Sequence, residues 1–130
     1  MYSVGFPETY GVPDCIVVGL PRQALINVIT AVHEHVSQGK VPIHGARWDG
    51  LLPEPFQCRS IALPSQDALG RYRMLSAEWY WRQVMKRTEP LQAFQIVWPG
   101  ERTNLFPWDP ECPQDVLELQ PVLGEPPQSV

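Results

Sequence analysis

Glu8 and Asp14 bracket the run Thr9-Tyr10-Gly11-Val12-Pro13. Two carboxylates on one short loop, with Tyr10 between them, can be presented to a single ligand. They divide into acid and base only when burial raises one pKa above the other. Nothing in the local composition enforces that burial, so two solvated carboxylates are the plainer reading. His44, in Pro42-Ile43-His44-Gly45, has a loop-like setting that leaves an imidazole open to solvent or to a ligand. A solvent-facing role is again the plainer one. Grouped beside an aromatic pocket, Glu8, Asp14 and His44 would suit a small hydrolase or transferase.

The other reactive residues lead away from catalysis. His33-Glu34-His35 looks metal-like, yet helical residues two apart point about 200° away from each other and cannot share one ion. Cys15, Cys58 and Cys112 are widely spaced and form no C-x-x-C pair, so neither a zinc site nor a disulfide framework is expected. The chain has no nucleophile elbow, phosphate-binding loop, dinucleotide fingerprint or H-E-x-x-H. No catalytic residue, metal or cofactor is expected on these grounds.

The aromatic segments are more suggestive. Trp98-Pro99 and Phe106-Pro107-Trp108 flank a polar loop. A folded-back loop would gather Trp98, Phe106 and Trp108, and such rings either line a binding groove or close a small core. Both readings stand at this point.

These residues must be positioned by elements that the prolines delimit. The chain of 130 residues has 15 prolines, more than twice the usual share of about 5%, and they argue against a helical bundle and against long strands. Residues 22–41 and 65–89 contain none. In the first window Leu25, Val28, Ile29, Val32 and Val36 form one helical stripe, so a helix is expected from Pro21 to Gln38, stopped by Gly39. In the second window a helix is expected from Asp67 to Lys86, with a break near Gly70 or Arg71. It carries two apolar stripes, Tyr72-Leu75-Trp79 and Met74-Trp81-Met85, and the second would face a partner or a second copy. Homodimerisation through this helix is therefore expected.

Strands are expected at Tyr2 to Gly5, at Cys15-Ile16-Val17-Val18 as a central strand, at Gln57 to Leu63, at Phe94 to Trp98, and as short pieces around Trp48-Asp49-Gly50. The fold class is α+β: a mostly antiparallel sheet of about five short strands with two main helices packed on it. One domain is expected over residues 1–120, with 121–130 as a flexible tail.

Ten basic residues against 14 acidic ones give a net charge of −4, and the basic residues are scattered, so nucleic acid is not an expected partner. Arg82, Lys86 and Arg87, beside Trp79 and Trp81, read as a solvated helix end. No apolar run approaches the roughly 18 residues of a membrane span. The N-terminus lacks the pattern of a signal peptide, which makes a cytoplasmic setting the expectation.

Several segments together resemble the DUF4262 domain family. Val4-Gly5-Phe6, Gly11-Val12-Pro13-Asp14 and Val18-Gly19-Leu20-Pro21 are similar to its opening block, and Gln95-Ile96-Val97-Trp98-Pro99 with Phe106-Pro107-Trp108 to its second. The likeness spans residues 2 to 109. The chain has Val12, Asp14 and Gly100 where the family usually has His, Glu and Asp. The resemblance implies one folded unit and a bacterial or phage setting, and it supplies no catalytic residue.

The expected function is that of a non-enzymatic binding or regulatory protein, of an immunity-like or anti-defence kind, acting on a protein partner or small ligand. The candidate binding residues are Glu8, Tyr10, Asp14, His44, Trp81, Trp98, Phe106 and Trp108. The hydrolase or transferase is the alternative.

Overall fold

The computed structural model describes residues 1–127. Its centre is a four-stranded sheet of β1 (Asp14–Ile16), β2 (Arg47–Trp48), β3 (Cys58–Ala62) and β4 (Ala93–Val97), in the order β1-β4-β3-β2. The chain is α+β, as expected, but the sheet is mixed and has four strands rather than five. β1 runs parallel to β4, with Asp14 opposite Ala93, while β3 is antiparallel to both β4 and β2. A parallel pair needs a long crossover, and everything from α2 (Arg22–Ser37) to Gln92 lies between these two strands.

Strand alternation divides the core. Cys15, Val17, Cys58 and Ile96 face one side, where the α2 stripe Val28, Val32 and Val36 packs on them. Ile16, Val18 and Ala93 face the other, against Met74 and Ala77. The α2 boundaries lie one residue inside the expected ones, with Pro21 as the N-cap residue rather than the first helical one. The apolar run at Cys15 is not central. It forms an edge strand whose outer side is covered by the N-terminal segment, through Ser3 N–H to the Cys15 carbonyl and Val17 N–H to the Met1 carbonyl, both 2.9 Å. That segment, expected as a strand, makes a single bridge between Tyr2 and Ile16. The expected loop after it contains a short helix, α1 (Phe6–Tyr10).

The expected second helix is three pieces: a 3₁₀ run at Gln66–Tyr72, α3 (Leu75–Trp79) and a π turn at Tyr80–Val84. Gly70, at φ 57° and ψ −126°, breaks the first piece. The Gln66 amide then holds the turned chain by accepting the Met74 N–H at 2.7 Å. These breaks reset the helical phase, so one periodicity across the window assigns the faces wrongly. Met74 is 0% exposed, whereas Leu75 and Trp79 are 64% and 61% exposed. The outward face is therefore Leu75 and Trp79, not Met74, Trp81 and Met85.

The chain ends with α4 (Gln114–Leu119) and a strap that crosses the second face of the sheet. Residues 121–127, expected to fray, are tied down at several points. The Gln95 side chain donates to the Pro121 carbonyl and accepts the Leu123 N–H, both at 2.9 Å. A Cβ at Gly124 would lie 2.3 Å from the Ala62 carbonyl oxygen, so only glycine allows this approach. The last three residues of the expected tail lie outside the described ones. No helix among the described residues is long and apolar enough to cross a membrane.

Candidate functional site

The acidic pair is split by burial. Asp14 is 1% exposed at the start of β1. Its carboxylate accepts the Ser3 hydroxyl at 2.7 Å and the Phe6 N–H at 3.1 Å, so it fastens the N-terminal segment and the start of α1. Burial raises its pKa, and the Ser3 and backbone hydrogen bonds oppose that rise. Glu8 is exposed and accepts the Tyr80 hydroxyl at 2.6 Å, which raises the Tyr80 pKa. The Tyr10 hydroxyl pairs with His33 Nε2. His44 accepts the Ala62 N–H on Nδ1 at 2.9 Å. Glu8, Asp14 and His44 thus have three separate sets of partners and share none.

The aromatic residues also separate. Phe106 and Trp108 stack with centroids 5.0 Å apart and planes 9° apart, and the Arg59 guanidinium lies 5.8 Å from the Trp108 ring. Trp98 is a member of the α2-side core, and its indole N–H donates to the Val18 carbonyl at 2.7 Å. No ring pair among the described residues joins it to Phe106 or Trp108. Trp81 donates to the Glu89 carbonyl at 2.7 Å and has Arg87 over its ring.

One side of Trp98 faces a cleft of about 500 Å³, within the size range of small-molecule sites. The cleft lies beyond the carboxyl ends of the parallel pair β1 and β4, where open α/β sheets place ligands. Gly19-Leu20-Pro21 leads from β1 into α2 along one wall, and Trp98-Pro99-Gly100 leaves β4 along another. Leu52, Pro53 and Phe56 supply apolar surface, and Val116 and Leu119 of α4 close the outer side. A Cβ at Gly19, which has φ +89°, would meet the Leu119 carbonyl oxygen at 2.2 Å. The rim is polar: Arg102 and Asp115 approach to 3.5 Å across it, and Glu101 and Thr103 stand beside them. The start of α2 has neither a side-chain cap nor an acidic residue in its first turn, which leaves the positive end of the helix dipole uncompensated by side chains.

A more open cleft of about 720 Å³ lies at the opposite end of the sheet, lined by Pro13, Pro64, Trp81, Met85 and Pro90 among others. Its charged groups Arg87 and Glu89 are paired at 3.5 Å, and the indole N–H of Trp81 is already used. It offers few free polar groups to fix a ligand.

The two ends of the sheet are therefore built from the segments that looked alike to a known family at the level of sequence. A family model described as "Domain of unknown function (DUF4262)" matches residues 1–113. The chain belongs to the DUF4262 family. No curated protein and no solved structure matches it.

Within this DUF4262 chain, the segments of the resemblance have distinct places. Gly11, Val12 and Pro13 border the open cleft, and the Gly19-Leu20-Pro21 turn and Trp98-Pro99-Gly100 border the smaller one. Val12 is a buried member of the α2-side core. Among the described residues no group of three or more His, Cys, Asp or Glu side chains is arranged to hold a metal ion. Of the candidate binding residues read from sequence, only Trp98 borders the smaller cleft. Leu52, Phe56, Val116 and Leu119 had no motif to reveal them. The one available signal was the Gly19-Leu20-Pro21 turn, at a junction between an apolar strand and a helix. α4 left no trace because six residues are too few to show a helical period.

Proposed function

We propose that the protein is a non-enzymatic binding module that holds a small, mainly apolar ligand in the cleft at the carboxyl ends of β1 and β4. The observation that carries this reading is the lining. Leu20, Leu52, Phe56, Trp98, Val116 and Leu119 surround a ligand-sized volume, with polar groups confined to the rim. Such a site captures apolar surface and uses a few rim contacts to orient it. The separation of Glu8, Asp14 and His44 among unrelated partners weighs toward binding and away from hydrolysis or group transfer. A regulatory role of the immunity-like or anti-defence kind rests on the small acidic chain and its lack of a catalytic motif, and a bacterial or phage setting on the family resemblance. A cytoplasmic setting accords with the three unpaired cysteines.

The test is fluorescence titration of the folded protein with 8-anilinonaphthalene-1-sulfonate. One saturable site is expected, weakened about tenfold in the uncharged variant Leu119→Gln, since each 1.4 kcal/mol of lost contact is a factor of ten. Leu119 is more than half exposed, so this change spares the core. Equal affinity in wild type and variant would overturn the reading.

A second reading concerns assembly. Leu75 and Trp79 form an exposed apolar pair one helical turn apart, and we assign the expected homodimer contact to them. Light scattering would show a dimer in wild type and a monomer in Trp79→Glu. A strict monomer in wild type at every concentration refutes this contact.

A further inference from the structure

The outer wall of the cleft and the strap over the sheet are one continuous segment, residues 114–124. Three observations set this segment apart. It follows the last family-matched residue, 113. It has few apolar anchors: Val116 is its buried side chain within α4, and Leu123 packs at the edge of the second core cluster. Its main fastenings are two glutamine amides that read backbone. Gln95 and Gln120 are both 0% exposed. Gln95, from the middle of β4, satisfies Pro121 and Leu123, and Gln120, from the segment itself, satisfies both backbone groups of Trp98.

This fastening favours docking as a unit. A buried amide is costly unless it is bonded. The strand neighbours of Gln95, Ile16 and Ile61, are apolar, so the segment is what makes its position in β4 tolerable. Partial release would strand the Gln95 amide or the Trp98 backbone. Full release lets water reach all of these groups together. At the wall, Val116 packs where a Cβ on residue 100 would lie 3.1 Å from its Cγ2. The remaining tie is the exposed Arg102–Asp115 pair, and exposed pairs contribute little.

We infer that residues 114–124 form a latch, which opens and closes as a unit over a sheet that stays folded, and which completes the cleft only when closed. This rests on the cleft being the ligand site proposed above. A ligand that touches Val116 and Leu119 binds the closed state better, so ligand and latch stabilise each other. Ligand release then runs through opening of the latch.

Hydrogen exchange read by mass spectrometry on the full chain tests this, with Gln95→Leu and Gly124→Val as variants. Gln95→Leu removes the backbone-reading amide and keeps an apolar strand residue. Gly124→Val drives a side chain into the Ala62 carbonyl and leaves β4 untouched. In both, exchange in 114–124 should rise about tenfold while β3 and β4 keep their protection. Saturation with 8-anilinonaphthalene-1-sulfonate should slow exchange in 114–124 of the wild type. Exchange of 114–124 in step with β4 in every protein overturns the latch, as does global unfolding of both variants, because a unit that opens alone leaves the sheet intact. If the dye binds but does not slow 114–124, the coupling is refuted. If the dye does not bind, the ligand reading fails, and the variants still decide whether the segment opens alone.

Discussion

The backbone of Trp98 and the side chain of Gln120 exchange two hydrogen bonds, each 2.8 Å long: Trp98 N–H donates to Oε1, and Nε2 donates to the Trp98 carbonyl. An amide side chain thereby takes the place of a neighbouring strand just where β4 ends. Gln120→Ala leaves both backbone groups unpaired and should lower the unfolding free energy by about 2–4 kcal/mol. Gln120→Glu should cost at least as much, because a carboxylate cannot donate and is buried here. Urea unfolding followed by Trp fluorescence measures this. Gln23→Ala, on the exposed face of α2, should shift it by about 0.5 kcal/mol or less.

Asp14 gives a pH signature. Its folded pKa is raised above the ordinary 3.8, mainly by burial. A raised carboxyl binds its proton more readily in the folded than in the unfolded chain. Its contribution is therefore full below the unfolded pKa and is lost as pH rises through the folded one. Asp14→Asn keeps an acceptor for Ser3 and Phe6 but cannot titrate. The stability of wild type relative to Asp14→Asn should therefore increase on acidification through the folded pKa toward 3.8. A difference that is flat with pH, measured by thermal unfolding, would remove Asp14 as the titrating group.

The reassigned faces around α3 predict opposite responses from adjacent residues. Met74→Ala should cost about 2–5 kcal/mol, as for other fully buried large side chains. Leu75→Ser should cost the single chain about 0.5 kcal/mol or less, since within one chain that side chain meets water, and any larger loss should grow with protein concentration as a dimer contact requires. Chemical denaturation of both at low and high protein concentration checks the assignment.

Thiol labelling should distinguish the cysteines. Cys15 and Cys58 are buried, and burial pushes the Cys58 pKa up to about 12, so neither supplies accessible thiolate. Cys112 is partly exposed, with its pKa raised by burial and then by Asp109 and Asp115. Slow modification of one thiol in the native protein and of all three in denaturant is the expected result by intact mass. Rapid native labelling of two or more would contradict the packing.

How much was legible depended on whether a feature was local. The α2 stripe was legible because its apolar residues recur with the helical period over about three turns and no proline interrupts them. Strands β3 and β4 were legible as short segments rich in apolar or alternating residues between proline clusters. The faces of α3 were not, since Gly70 and the turn at Met74 reset the phase within the window. Asp14 was visible as an acid but not as an anchor, because its partners Ser3 and Phe6 become neighbours only when the N-terminal segment lies along β1. Trp98, Phe106 and Trp108 were found by type, and their separation into a core ring and a surface stack depends on the path of the intervening loop.

Sequence alone determined the α+β class, the family and the principal helix, because periodicity, proline placement and short motifs are properties of neighbouring residues. Tertiary structure decided the parallel pairing of β1 with β4, the cleft at their ends and the use of Gln95 and Gln120 as fasteners. Each of these joins residues far apart in the chain, and what holds them is the need of buried polar groups for partners and the limited room beside Gly19 and Gly124.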